Sequence, residues 1–222
     1  MIVSLRSGFG MNPHPATSLR GLYLITPDEQ DTGRLLARVE PLLDAGVTLL
    51  QLRNKRGPAS LLRRQALALL PACRTRRIPL LINDDWRMAA DVGADGVHLG
   101  QRDGSIERAR AALGPSAIIG ATCHASLELA ARAAAEGADY LAFGAMFGSS
   151  TKPDAPGAPM SVLREAARFG LPVVAIGGIT TDNARRAIAA GADLLGVIGA
   201  VFDAADPVAC VRDFHSLFAE PR

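Results

Sequence analysis

The chain has 222 residues, 49% of them hydrophobic, enough to bury a full core as one domain. A formal net charge of +2 with no long basic run argues against nucleic acid, for which Arg74 to Arg77, the densest cluster, reads only as a solvated helix end. Three widely spaced cysteines without a CxxC pair argue against a disulfide framework or structural zinc site and fit a reducing cytoplasm; no apolar stretch approaches the roughly 20 residues of a membrane span.

Residues 1–20 have too short an apolar core for a secretory signal and read as a loose leader, with Met11 an alternative start. From Gly21 onward, short β runs alternate with amphipathic helices. Gly21 to Thr26 is the first strand, ended by Pro27, and Leu35 to Leu43 a helix stopped by Gly46. Val47 to Leu52 is a strand and Leu61 to Ala72 a helix. Leu80 to Ile82, Trp86 to Val92 and Gly96 to Leu99 then read as strand, helix, strand. A helix over Ser105 to Leu113, a strand over Ala117 to Gly120 and a helix over Leu127 to Ala135 follow. Tyr140 to Phe143, Val173 to Ile176 and Leu194 to Ile198 complete the strands. Val162 to Arg168, Asp182 to Ala190 and Val208 to Phe218 are the remaining helices.

A weak repeat marks four of the helix-to-strand turns: Asp44 to Val47, Gly93 to Gly96, Gly137 to Tyr140 and Gly191 to Leu194. In each, glycine ends a helix and a tight turn enters a buried strand. Eight strands and eight helices without a linker favour a single-domain (β/α)8 TIM barrel over residues 21–222, rather than a doubly wound sheet. Active sites of such barrels lie at the C-terminal rim of the strands.

That rim is polar. Gln51, Arg53 and Lys55 follow the second strand, the first two at strand spacing and so on one face. Asn83 and Asp84 follow the third strand, Gln101 and Asp103 the fourth, and Thr122, Cys123 and His124 the fifth. Gly144 to Met160 is a long loop carrying Ser149, Ser150, Thr151 and Lys152. Gly177-Gly178 and Gly199-Ala200 end the last two strands. Asp84 and Asp103 emerge on one rim and suit Mg²⁺, although both could simply cap the helices after them. Cations, an acid pair and glycine turns together describe a phosphate or pyrophosphate site.

QLRNK (Gln51 to Lys55), IND (Ile82 to Asp84), GADGVHLGQRD (Gly93 to Asp103), Thr151-Lys152-Pro153 and AIGGI (Ala175 to Ile179) resemble the thiamine phosphate synthase family, in its order and across the chain. The resemblance implies a TIM barrel that joins hydroxymethylpyrimidine diphosphate to hydroxyethylthiazole phosphate and releases pyrophosphate. It implies that Gln51, Leu52, Arg53, Asn54, Lys55, Asn83, Thr122 and Lys152 hold the pyrimidine diphosphate, and that Asp84 and Asp103 hold Mg²⁺. Ser149, Ser150, Thr151, Gly178, Ile198 and Gly199 would hold the thiazole phosphate. Arg53, Lys55 and Lys152 would stabilise the leaving group.

Three positions depart from the family pattern. Ser149 stands for threonine and Thr122 for serine, each keeping a hydroxyl; Gly199 for serine leaves only backbone N–H. His98 and His124 read as packing or hydrogen-bonding residues, and the adjacent Cys123-His124 does not make a catalytic pair. Two rivals to a synthase are a thiazole-phosphate isomerase or regulatory binder, which would not need the diphosphate and metal set, and another phosphosugar barrel enzyme, which would share the glycine turns but not QLRNK or the acid pair. The implied partners are small-molecule substrates, with no nucleic acid and no membrane.

Overall fold

The computed structural model describes residues 19–148 and 157–219. Its first half runs β1 (Gly21–Ile25), α1 (Thr32–Leu43), β2 (Val47–Leu52), α2 (Ala59–Arg76), β3 (Leu80–Asn83), α3 (Trp86–Val92), β4 (Gly96–Leu99) and α4 (Ile106–Leu113). The second half runs β5 (Ile118–His124), α5 (Leu127–Ala135), β6 (Tyr140–Gly144), α6 (Ser161–Ala166), β7 (Val173–Ile176) and α7 (Thr181–Ala189). It ends with β8 (Leu194–Val197), α8 (Gly199–Phe202) and α9 (Pro207–Ser216). All neighbouring strands are parallel and β8 pairs back to β1, closing the expected barrel in sequence order.

Strand alternation separates two apolar layers. Leu22, Leu24, Leu50, Leu52, Ile82 and Val97 face the helices and join the larger core. Tyr23, Ile25, Leu49, Leu81, Ile118, Tyr140 and Val174 fill the barrel interior, where Leu19 joins them. Leu19, assigned to the leader by sequence, is therefore part of the barrel; the rest of that segment lies outside the described residues, bar Arg20. No helix among the described residues is long and apolar enough to cross a membrane.

The repeated Gly-Ala-Asp turn has a second function that its glycine hides. Asp95, Asp139 and Asp193 each accept a hydrogen bond from the backbone N–H of Leu80, Ile119 and Val173, at 2.8, 2.6 and 2.9 Å. Each carboxylate thus ties the entry of one strand to its neighbour and sets the register at the N-terminal end. Such bonds to a charged acceptor are worth about 1.5–3 kcal/mol apiece.

The elements differ from the sequence reading at their ends. α2 starts earlier, at Ala59, and runs past Ala72 to Arg76, where Arg77 closes the helix in a left-handed conformation. β5 continues to His124, and α6 passes into a 3₁₀ turn at Ala167–Phe169. The short α8 has no counterpart in the sequence reading, since four residues carry no period.

Candidate active site

The C-terminal rim places a strand-end residue from each strand around one mouth. Asp84 sits just past β3 with φ 65°, a left-handed conformation that Asp tolerates better than most residues. The capping alternative fails for both acids: Asp85 caps α3 through Met88 N, and Ser105 caps α4 through Arg108 N. Asp103 instead closes its own loop, accepting from Gly100 N at 2.8 Å with Oδ2.

Burial pushes the Asp84 carboxyl up to about 6, and the hydrogen bond and charge of Asp103 push the same way, while Lys55 and Arg53 oppose them. Lys55 Nζ lies 3.9 Å from Asp84 Oδ2. Among the described residues no cluster of three or more His, Cys, Asp and Glu forms a ligand set. Two crowded carboxylates are relieved by a divalent cation, and Mg²⁺ completes its shell from water and phosphate oxygens. The pair therefore fits Mg²⁺ and not a closed structural zinc site.

The basic arm after β2 is organised by β1, which the sequence reading passed over. Thr26 Oγ1 donates to Arg53 O and accepts from Arg53 N, both at 2.9 Å. Asp28 accepts from Lys55 N at 2.8 Å and lies 3.4 Å from Arg53 Nη1 and 3.7 Å from Arg56 Nε. The signal was available: Thr26 and Asp28 follow a strand on the same rim. Leu52 and Asn54 point elsewhere. The Leu52 side chain is fully buried toward the helices. Asn54 is buried in the loop, donating to Glu29 O at 2.6 Å and Gln65 Oε1 at 3.3 Å. Only their backbones are left for a ligand.

Gln51, Asn83 and Thr122 stand at the inner ends of β2, β3 and β5. Gln51 donates to Tyr23 Oη, and Thr122 Oγ1 lies 2.8 Å from His98 Nε2. The Thr122 carbonyl accepts from Gln101 Nε2, and Arg132 holds that amide's oxygen at 2.8 Å. His98 is buried in this network, as expected of a hydrogen-bonding residue, whereas His124 is exposed at φ 51°.

Across the mouth, a cleft of about 530 Å³ is walled by the glycine turns after β7 and β8, with Gly148, Ile198, Gly199 and Asp203. Gly178 has φ 64°, and a Cβ there would lie 2.6 Å from Gly148 O and 2.7 Å from Phe147 O. Its glycine is thus required by the loop after β6, which packs on this turn through Met146 N and Phe147 N. Gly199 and Ala200 open the α8 turn, so their N–H groups have no intrahelical acceptor. Ser149, Ser150, Thr151 and Lys152 lie outside the described residues.

Known proteins share this fold. Residues 22–201 match the family described as thiamine monophosphate synthase. The chain is 55% identical to a thiamine-phosphate synthase of Methylobacillus flagellatus, covering 94% of this chain and all of that one. It is 51% identical to one of Methylococcus capsulatus, over 91% of each. Among solved structures, thiamine phosphate pyrophosphorylase from Pyrococcus furiosus superposes with a TM-score of 0.79 at 34% identity, covering 91% of this chain and 97% of that one. The barrel, its rim and these relatives together make the chain a member of the thiamine monophosphate synthase family.

Proposed function

We propose that this rim joins 4-amino-2-methyl-5-(diphosphooxymethyl)pyrimidine to hydroxyethylthiazole phosphate, giving thiamine phosphate and pyrophosphate. One observation carries the reading: the Asp84–Asp103 pair with Lys55 and Arg53 beside it, facing a glycine-walled cleft across the same mouth. An electropositive arm and an acid pair suit a diphosphate. The separate cleft suits a second, phosphate-bearing ligand.

In the reaction, the methylene C–O bond breaks and its electron pair leaves with pyrophosphate. The electron-rich aminopyrimidine supports the cation left behind, and the thiazole nitrogen supplies the pair for the new C–N bond. No protein nucleophile is needed. Arg53 and Lys55, joined by Lys152, meet the charge that grows on the leaving oxygens, where fixed cations act most strongly. Mg²⁺, held by Asp84 and Asp103, would supply further positive charge to the diphosphate. Gln51, Asn83 and Thr122 orient the pyrimidine diphosphate. Gly178, Ile198 and Gly199, with Ser149 to Thr151, hold the thiazole phosphate so that the reacting atoms stand about 3–3.5 Å apart. The free thiols of Cys73, Cys123 and Cys210 support a reducing, cytoplasmic setting.

Mixing the purified protein with both substrates and Mg²⁺ and following pyrophosphate release tests the reading. Release that requires both substrates is expected. A protein that binds thiazole phosphate and never the pyrimidine diphosphate would be an isomerase or regulator instead.

A further inference from the structure

Five side chains from five strands form one hydrogen-bond chain across the barrel interior. Gln51 Nε2 donates to Tyr23 Oη, which lies 2.7 Å from Tyr140 Oη. Tyr140 Oη lies 2.8 Å from His98 Nδ1, and His98 Nε2 lies 2.8 Å from Thr122 Oγ1. Both tyrosines are sealed from solvent and His98 is nearly so. The rings are fixed by packing: Tyr23 meets Tyr140 edge-on, and His98 stacks on Tyr140 with 12° between planes. β5 makes room for them, since a Cβ on Gly120 would lie 1.8 Å from Tyr140 Cζ.

Each phenol has one proton to give, so the bonds must all run in one direction. With Gln51 donating, Tyr23 passes its own proton toward Tyr140, and Tyr140 toward His98 Nδ1. An imidazolium would have to donate to Tyr140, which would then donate back to Tyr23 and leave that phenol's proton without an acceptor. His98 is therefore neutral, carries its proton on Nε2, and donates to Thr122. The Thr122 hydroxyl is left to direct its own proton elsewhere, toward the mouth. At the other end, Gln51 Oε1 has no partner within the described residues and is not sealed, because none of their buried side-chain nitrogens or oxygens lacks a partner. The chain thus presents an acceptor on β2 and a donor on β5 at the same time.

We propose that Tyr23, Tyr140 and His98 are positioning residues that lock these two polarities together, coupling selection of an amino-substituted pyrimidine at Gln51 to the grip of Thr122 on its diphosphate. The proposal rests on the reading above that both residues face the pyrimidine diphosphate. An amino group donates and needs the Gln51 oxygen. An oxo group in its place would turn the amide round, reverse every bond in the chain, and draw the Thr122 proton back to His98. The diphosphate would then lose a donor some strands away from the changed atom.

Two measurements on the full-length protein decide it. In ¹⁵N-histidine-labelled protein, long-range ¹H–¹⁵N correlation should show His98, assigned by its loss in His98→Gln, as the Nε2-protonated neutral tautomer; the Nδ1 tautomer or an imidazolium overturns the polarity. This needs no variant of the tyrosines. Calorimetry should show wild-type protein preferring the 4-amino over the 4-oxo pyrimidine diphosphate. Tyr140→Phe should reduce that preference roughly five- to tenfold, the scale of one hydrogen bond, and do so no further when Thr122→Val is already present. A merely structural tyrosine would leave the preference unchanged or give additive losses, and either result overturns the coupling. Wild-type protein that binds neither diphosphate overturns the functional reading itself, a failure distinct from that of the lock.

Discussion

Replacing Asp84 with Asn should make the free protein more stable and the enzyme nearly inactive. The carboxyl rises from an ordinary 3.8 to about 6, chiefly through burial and then through Asp103. At 1.36 kcal/mol per pH unit, that rise corresponds to about 3 kcal/mol of strain on the charged form at neutral pH. The side chain is 39% exposed, so solvent screening cuts the figure to about 1 kcal/mol. Asn is nearly isosteric, keeps a hydrogen bond to Asp103, and tolerates the left-handed backbone at φ 65°. Removing the ion pair with Lys55 costs little, because that pair is long and exposed.

For a chain of this size, about 1 kcal/mol raises Tm by about 2–4 °C. The sign follows from linkage: a carboxyl whose folded pKa is raised binds more protons when folded, so its penalty is complete above pH 6 and fades as pH falls toward 3.8. Thermal unfolding without added metal should therefore show Asp84→Asn more stable than wild type at pH 7.5 and level with it near pH 4. Mg²⁺ with the diphosphate should stabilise wild type and not the variant, whose pyrophosphate release should be greatly lowered. A variant less stable at pH 7.5, or as active as wild type at limiting Mg²⁺, would refute the reasoning.

Arg53→Ala should weaken the pyrimidine diphosphate about 10- to 100-fold in calorimetry, the scale of a hydrogen bond to a charged group, and spare the thiazole phosphate. Gly178→Ala should impair both ligands: its Cβ meets the Phe147–Gly148 backbone, which leads into the segment carrying Ser149 to Lys152, so loss confined to the thiazole phosphate would count against this account. Lys55→Arg should keep the charge yet slow pyrophosphate release in single turnover more than it weakens diphosphate binding. The His98 pKa is lowered to about 4 by burial, so its contribution to stability is complete above pH 6.5 and lost as pH falls toward 4. Urea unfolding at pH 7.5 and pH 4.5 should show wild type losing up to about 3 kcal/mol more than His98→Gln across that interval.

The barrel was legible because most β runs end at or beside a glycine, proline or acid, and the rim followed once the strands were placed. The interior network was not. Tyr23, His98, Thr122 and Tyr140 each look like a lone polar residue in an apolar strand, and 117 positions separate the two tyrosines that touch. Only closure of the sheet brings them together. The place of Gly120 was the available sign, since a glycine inside a strand marks something that comes close. Gly178 carries a second demand that the sequence hides: it lines the cleft, and its missing Cβ also makes room for the neighbouring loop. Asp28 escaped notice because it follows Pro27, where the strand had already ended, although the rim continues for a few residues beyond every strand.

The use of cations separates scaffold from site. The chain has 22 arginines and two lysines, Lys55 and Lys152. Among the described residues, a cation with a lasting structural partner is arginine: Arg34 grips Glu29 with two nitrogens, Arg76 grips both oxygens of Asp44, and Arg110 holds Asp139 and four backbone carbonyls. A planar fork suits such fixed geometry. Lys55 is held differently, 57% exposed and 3.9 Å from Asp84, close enough to temper the acid pair without a directed bond. A compact charge on a flexible stem can leave that carboxylate for a phosphate oxygen when a metal arrives, and follow the oxygen as it departs. Arg53, tied through its backbone to Thr26 and drawn toward Asp28, cannot follow in the same way. In the proposed reaction Arg53 would meet the diphosphate from a fixed place, and Lys55 would travel with the charge as it leaves.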